Sequence, residues 1–168
     1  APNFALFCQM TEQEQAEKTY HNILNLVWEF LTVKGAKINF ENQLEKLEEI
    51  IPDVNNYDFF GVVPALDACE ALGELLHAII AGETLEKAIQ ISQISLGTVC
   101  SLLETQENRD LSESELKSRE EIEEELDLQW QIYRLLKDCE KRDVDLILSL
   151  REEIKQEGIS NIGIKIEQ

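Results

Sequence analysis

The sequence has 168 residues, with 34 Asp and Glu against 15 Lys and Arg, and a formal charge of -19 at pH 7. This length suits one domain, and a hydrophobic fraction of 43% is too high for a disordered acidic tail. The acid excess argues against nucleic acid and anionic membranes as partners, because both attract basic surfaces. No run of about 18 uncharged apolar residues is present, so we expect no membrane-spanning helix.

A helical pattern begins near the start of the chain. Apolar residues at i, i+3 and i+4 spacing predict an amphipathic helix over residues 12–34, which ends at Gly35. A shorter helix follows, with Asn39 at its N-terminus as a cap and Pro52 as its stop. Both patterns indicate an α-helical protein.

Two further helices are predicted in the middle of the chain. Pro64 suits the first turn of one helix, which ends near Gly82. Thr84 is placed to cap the next helix. Ser112 and Glu115 have the spacing of a capping box, which predicts a short helical turn after them.

The longest helical stretch covers about residues 120–156, and its apolar residues spread over more than half of the circumference. Such a helix is enclosed by neighbours or by a second subunit. Without a break it would extend about 55 Å, whereas a domain of this size is about 40 Å across. We therefore expect a break in the charged segment 137–143, or a projecting end. Gly158 is expected to end the stretch.

The last residues change their period. Ile162, Ile164 and Ile166 alternate with glycine and lysine, which is typical of a strand. In a helical chain this segment either lies over an apolar groove or pairs with the same tail of a second subunit, or with a partner's sheet edge. The sequence therefore predicts a single-domain, all-α multi-helix bundle over residues 1–168, with a short extended tail at 159–168.

The most specific local pattern lies in the helix after Pro64. Four polar residues, spaced 3, 4 and 3 apart, fall within about 80° on a helical wheel: Asp67, Glu70, Glu74 and His77, here named the acidic stripe. Glu74 and His77 have the Glu-x-x-His spacing of carboxylate-bridged di-iron bundles. The full di-iron set needs a second such element, and this sequence has none. The alternative is the solvated face of an amphipathic helix.

A magnesium or manganese site made of carboxylates is a further hypothesis, because hard divalent cations prefer oxygen ligands. Glu140 and Asp143 lie three residues apart on the apolar side of the predicted last helix. Together with the Glu-x-x-Glu element at 45–48, they match the element set of all-helical nucleoside-triphosphate pyrophosphatases. Here the two elements are over ninety residues apart, unlike the compact arrangement of those enzymes. A salt bridge to Arg142, Arg151 or another helix is the alternative for this pair.

The four cysteines predict a reducing compartment rather than a zinc site. Cys8, Cys69, Cys100 and Cys139 form no Cys-x-x-Cys pair. Three of them fall among apolar residues of predicted helices, where a free thiol behaves as a small hydrophobe. We therefore expect reduced structural cysteines in a cytoplasmic protein.

The densest charge lies at residues 107–127, with ten acids against three bases. One interpretation is a solvated segment whose acids suit the N-termini of helices. The other is a docking surface for a basic partner.

Three segments carry a resemblance to a known family: 44–52 (LEKLEEIIP), 57–69 (YDFFGVVPALDAC) and 160–164 (SNIGI). Through them, and over essentially the whole chain, the sequence resembles the YjaG family of bacterial proteins, a family defined by a domain of unknown function. The resemblance implies an all-helical cytoplasmic domain and supplies no catalytic residues. Members of that family begin with an additional helical segment, so we expect uncovered apolar surface around residues 4–7 if this segment is lacking.

The leading hypothesis is a non-enzymatic helical module that self-associates, as a dimer, or binds another protein. It depends on the wide apolar arc of the last helix and on the isoleucine tail. The alternative is a hydrolase that depends on Mg²⁺ or Mn²⁺ and acts on a nucleotide or another phosphorylated small molecule. That alternative predicts that the acidic stripe converges with acids of another helix around a pocket.

Overall fold

The computed structural model describes residues 1–82 and 85–165, and within them it contains eight α-helices and no β-strand. The all-α fold predicted from the sequence is confirmed. The helices are α1 (Pro2–Met10), α2 (Glu14–Thr32), α3 (Phe40–Glu48), α4 (Val62–Ala81), α5 (Leu85–Glu107), α6 (Glu113–Leu116), α7 (Glu120–Leu136) and α8 (Val144–Glu157), with a 3₁₀ turn at Val54–Asn56. None of the helices described is long and apolar enough to cross a bilayer.

Helix α1 was not predicted from the sequence, because nine residues are too few to show a clear period. It begins at Pro2, and its Phe4 and Phe7 side chains are buried. Phe4 stacks on Tyr20 with ring centroids 4.7 Å apart, and Phe7 meets the edge of Tyr57 at 5.0 Å. The prediction of uncovered apolar surface is therefore wrong for both phenylalanines, since α2 and the segment before α4 cover them.

Several helix ends lie where the sequence predicts them. The Asn39 side chain accepts a hydrogen bond of 2.9 Å from the backbone N–H of Asn42 and caps α3. Gly82 and Gly158 end α4 and α8 with left-handed φ angles of 73° and 59°. The predicted cap at Thr84 lies outside the described residues.

The long helical stretch is divided into α7 and α8, so the predicted break in segment 137–143 is confirmed. Asp143 ends this break, because its Oδ1 accepts a hydrogen bond of 3.0 Å from the backbone N–H of Leu146 and caps α8. Glu140 and Asp143 therefore lie in a connection. The prediction that both lie on the apolar side of a continuous helix is wrong.

Two hydrophobic cores lie on either side of α4 and α5, which pack against each other. The first core joins α1, α2, α3 and α4, and its fully buried side chains include Phe4, Phe7, Ile23, Leu47 and Leu76. The second core is smaller and joins α5 to α7 through Val99, Leu103, Leu111 and Ile122. Helix α8 packs against α2 and has no fully buried residue.

Candidate protein-interaction surface

Asp67, the first residue of the acidic stripe, joins α4 to α5. Its Oδ2 accepts a hydrogen bond of 2.7 Å from Oγ1 of Thr98, a residue that is almost completely buried. Burial raises the pKa of Asp67, and the hydrogen bond from Thr98 partly opposes that rise. With this partner, the Asp67 carboxylate contributes to the packing of α4 on α5.

The other residues of the stripe have separate surroundings. Glu74 forms an ion pair of 2.5 Å with Lys87 on α5, whereas Glu70 and His77 are exposed to solvent. Within residues 1–82 and 85–165, no group of three His, Cys, Asp or Glu side chains is arranged to hold a metal ion. The stripe as a metal site stays a prediction, and its observed contacts are those of a packed helix face.

Glu140 and Asp143 are exposed in the connection between α7 and α8, outside the helix α4 that carries the stripe. Their predicted arginine partners form other contacts. Arg142 and Arg151 donate hydrogen bonds of 3.1 Å and 2.9 Å to oxygen acceptors on α2. These two bonds hold the C-terminal part of the chain on α2.

A cleft of about 540 Å³ lies between α1, α2 and α8. Leu24 and Trp28 belong to its wall, and Arg151 lies over the Trp28 ring, 5.6 Å from its centroid. His21 also lines the cleft, with its Nδ1 at 3.1 Å from the backbone carbonyl oxygen of Glu17. The Arg151 contact packs α8 on α2, whereas the His21 contact lies within α2.

A buried polar contact, which the sequence pattern did not reveal, joins α5 to α7. Glu125 is only 6% exposed, and its Oε1 accepts a hydrogen bond of 2.6 Å from Nε2 of Gln129. Gln129 accepts a hydrogen bond from the Ser92 hydroxyl and donates one of 3.2 Å to the Ser92 carbonyl oxygen. The sequence feature that could have indicated this contact is the angular position of Glu125 and Gln129, which lie next to Ile122 on the helical wheel. These polar residues fix the side of α7 that faces α5.

The flank of α7 that lies away from Glu125 and Gln129 exposes a row of large apolar side chains. Leu126, Trp130 and Tyr133 are 46%, 50% and 54% exposed, and together they are named the α7 face. The Trp130 and Tyr133 rings stack with centroids 5.2 Å apart. The Arg134 guanidinium lies over the Trp130 ring at 5.2 Å. The face is therefore an ordered aromatic surface rather than a set of scattered side chains.

Apolar exposure continues onto the start of α5. Ser92 contacts Gln129 across the two helices, and one and two turns before Ser92 the side chains of Ile89 and Leu85 are 51% and 76% exposed. The start of α5 and the part of α7 after Gln129 therefore both expose apolar side chains to solvent.

A family model described as "Protein of unknown function (DUF416)" matches residues 1–165. The chain belongs to the DUF416 family. It is 73% identical over its whole length to an uncharacterized protein of Haemophilus influenzae, of which it covers 86%. It is 50% identical to the uncharacterized protein YjaG of Escherichia coli, over 99% of this chain and 85% of that protein. The family resemblance seen in the sequence is confirmed.

A solved structure shares the fold. The crystal structure of a DUF416 family protein from Shewanella baltica superposes with a TM-score of 0.85 at 32% identity, covering 98% of this chain and 86% of that one. The family description states no activity, so the function of this DUF416 chain has to be argued from its own surfaces.

The C-terminal tail of the DUF416 chain folds back on itself. Ile159 and Lys165 form an isolated antiparallel bridge. Ile162 packs against the second core, Ile164 is half-buried, and Ile166 lies outside the described residues. Of the two alternatives for the tail, the described part favours an apolar groove of the same chain.

Ion pairs within the acidic segment 107–127 involve all three of its bases, and Lys117 pairs with Glu113 at 2.5 Å. Arg109 pairs with Glu107 at 2.7 Å and with Glu115 at 2.8 Å, and Arg119 also pairs with Glu107. Hydrogen bonds from Arg109 and from Ser112 lower the pKa of Glu115 to about 2. Ser112 and Glu115 also form the predicted capping box of α6. This segment therefore has a local structural role in addition to its charge.

Proposed function

We propose that this DUF416 protein is a non-enzymatic interaction module that self-associates through the α7 face. The exposed row of Leu126, Trp130 and Tyr133 is the observation that carries the proposal. Contiguous apolar patches on a protein surface mark interaction sites, and Trp and Tyr are enriched at the centres of interfaces. The Glu125–Gln129–Ser92 contact holds this row on an ordered helix, so little conformational freedom of side chains and backbone is lost on binding.

No observation in the described residues favours the metal-dependent hydrolase in the same way. Asp67 and Glu74 are bonded to Thr98 and Lys87, and no three His, Cys, Asp or Glu side chains of the described residues are arranged to hold a metal ion. The interaction module is therefore the function that the geometry supports best.

The proposed setting is the bacterial cytoplasm. Cys8 and Cys69 are free thiols in the first core, and burial is the main cause that raises the pKa of each to about 12. Such thiols stay protonated and serve as small apolar groups, which suits a reducing compartment.

Sedimentation velocity over about 1 to 200 µM protein tests the proposal, because a micromolar dissociation constant gives a measurable shift to dimer in this range. We expect a concentration-dependent dimer in the wild type. Tyr133→Asp should abolish it, because the dimer would bury an unpaired carboxylate. Leu128→Asp is the matched control, since Leu128 is 48% exposed on the other flank of α7.

Circular dichroism verifies that each variant is folded before its association is compared. A wild type that stays monomeric at the highest concentration contradicts self-association. An equal loss of dimer in Leu128→Asp and Tyr133→Asp contradicts the assignment of the interface to the α7 face.

A further inference from the structure

We infer that the second copy binds with its α7 antiparallel to the first, across a two-fold axis that passes near Trp130. The acidic start of each helix then faces the basic end of the other. This inference rests on the proposed self-association and adds to it the orientation and the residue pairs of the dimer.

The charges of α7 are separated along its length. Its first eight residues contain six acids and no base, whereas the residues from Leu128 to Leu136 contain Arg134 and no acid. Lys137 follows directly at the C-terminus. The helix dipole accounts for acids in the first turn, but its influence falls off within that turn. Asp127 and Arg134 lie further inside the helix, on either side of the aromatic pair.

A two-fold interface must be complementary to itself, because the same patch meets its own copy in reverse order. At 100° per residue, four charged residues lie within about 60° of Trp130 on the helical wheel: Glu123, Asp127, Arg134 and Lys137. At a rise of 1.5 Å, Asp127 lies about 4.5 Å before Trp130 and Arg134 about 6 Å after it. Glu123 and Lys137 each lie about 10.5 Å from it, in opposite directions.

Antiparallel pairing around Trp130 therefore places Asp127 opposite Arg134 of the partner subunit, and Glu123 opposite the partner's Lys137. The same symmetry places Leu126 opposite the partner's Tyr133, with the two Trp130 rings next to the axis. Each pair occurs twice in a symmetric dimer. An apolar centre with paired charges at its rim is the arrangement found in specific interfaces.

The free charge on Arg134 fits this arrangement. In the described part of the chain its guanidinium lies over the Trp130 ring and forms no ion pair with a carboxylate. A parallel dimer would bring like charges together along the whole helix. The repulsion between two chains of charge -19 is screened beyond about 8 Å at physiological salt, whereas close interfacial pairs are screened less.

Charge reversal tests the orientation by sedimentation velocity at physiological salt, where the repulsion between the two net charges is screened. Asp127→Arg and Arg134→Asp should each weaken the homodimer at least tenfold, because each creates two like-charge contacts. An equimolar mixture of the two variants should recover dimer to within about threefold of the wild type, since only the heterodimer restores both pairs. Glu121→Arg is the control, because it makes the same charge change on the side of α7 opposite Trp130.

The outcomes separate this inference from the proposed function. Recovery in the mixture, with no effect of Glu121→Arg, is the expected result. Weakening of both single variants without recovery in the mixture overturns the antiparallel pairing. A dimer that tolerates both reversals but is lost in Tyr133→Asp retains self-association and overturns the orientation. A monomeric wild type overturns both, and circular dichroism of each variant excludes unfolding as the cause.

Discussion

The two halves of the molecule bury their apolar residues to very different extents. In α1–α4, side chains such as Phe4, Ile23 and Leu76 are enclosed from all directions. In α7 and α8 the fully buried residues among those described are only Ile122 and Glu125, although both helices are rich in Leu and Ile. The comparison shows that an apolar helix arc predicts a contact but not which molecule supplies it. The closed half specifies the fold, and the open half leaves large apolar side chains exposed to solvent.

The largest effect should come from truncation within the closed half. Leu76→Ala leaves a cavity at a site with no solvent exposure and should lower the free energy of unfolding by about 2–5 kcal/mol. Leu128→Ala on exposed α7 should change it by less than about 0.5 kcal/mol. Urea unfolding followed by circular dichroism measures both. Similar losses in the two variants would break the distinction between the halves.

A smaller effect is expected at the junction of the halves, where Thr98 on α5 bonds to Asp67 on α4. Thr98→Val keeps the shape but removes the donor, so the half-buried carboxylate loses its partner at a cost of about 1–2 kcal/mol. Thr105→Val on exposed α5 is the control, because it removes only a bond to the carbonyl oxygen of Ser101 in its own helix. Equal melting temperatures for the two variants would show that Asp67 does not couple the halves.

The smallest effect concerns pH at the same junction. The pKa of Asp67 is raised above its ordinary value of 3.8 in the folded chain, mainly by burial. The folded state therefore binds more protons, and this residue lowers stability as pH rises from the ordinary value through the raised one. Asp67→Asn cannot titrate at this position. The melting temperature of the variant minus that of the wild type should therefore increase as pH rises from about 3 to 7. A constant difference across this range would contradict the assigned pKa direction.

The sequence was informative wherever structure depends on neighbouring residues. Asn39 and Gly82 end helices through contacts within one turn, so their positions could be read from the pattern. The break before α8 was predicted from length alone. The cap at Asp143 starts a new helix, so helical-wheel angles cannot be counted across the break. The predicted position of Glu140 on the apolar face is wrong for this reason.

Contacts between helices were beyond the sequence pattern. Nothing in the spacing of Asp67 indicates that Thr98 on α5 would be its partner, since 31 residues separate them. Periodicity likewise predicted a wide apolar arc on this helix, but the exposure of Trp130 and Tyr133 depends on which helices lie nearby. The candidate metal site stays a prediction for the same reason, because a shared helix face does not indicate which ligands from other helices lie near it.

The Glu125–Gln129–Ser92 contact has a consequence for how α7 can change over evolutionary time. Sliding α7 by one turn, about 5.4 Å, along α5 would separate the Gln129 amide from the hydroxyl and the carbonyl oxygen of Ser92 and leave its part-buried polar atoms without these partners. The contact therefore specifies the register of α7 on α5. Substitutions at positions 126, 130 and 133 can then change the chemistry of the exposed surface while its placement on the molecule stays the same.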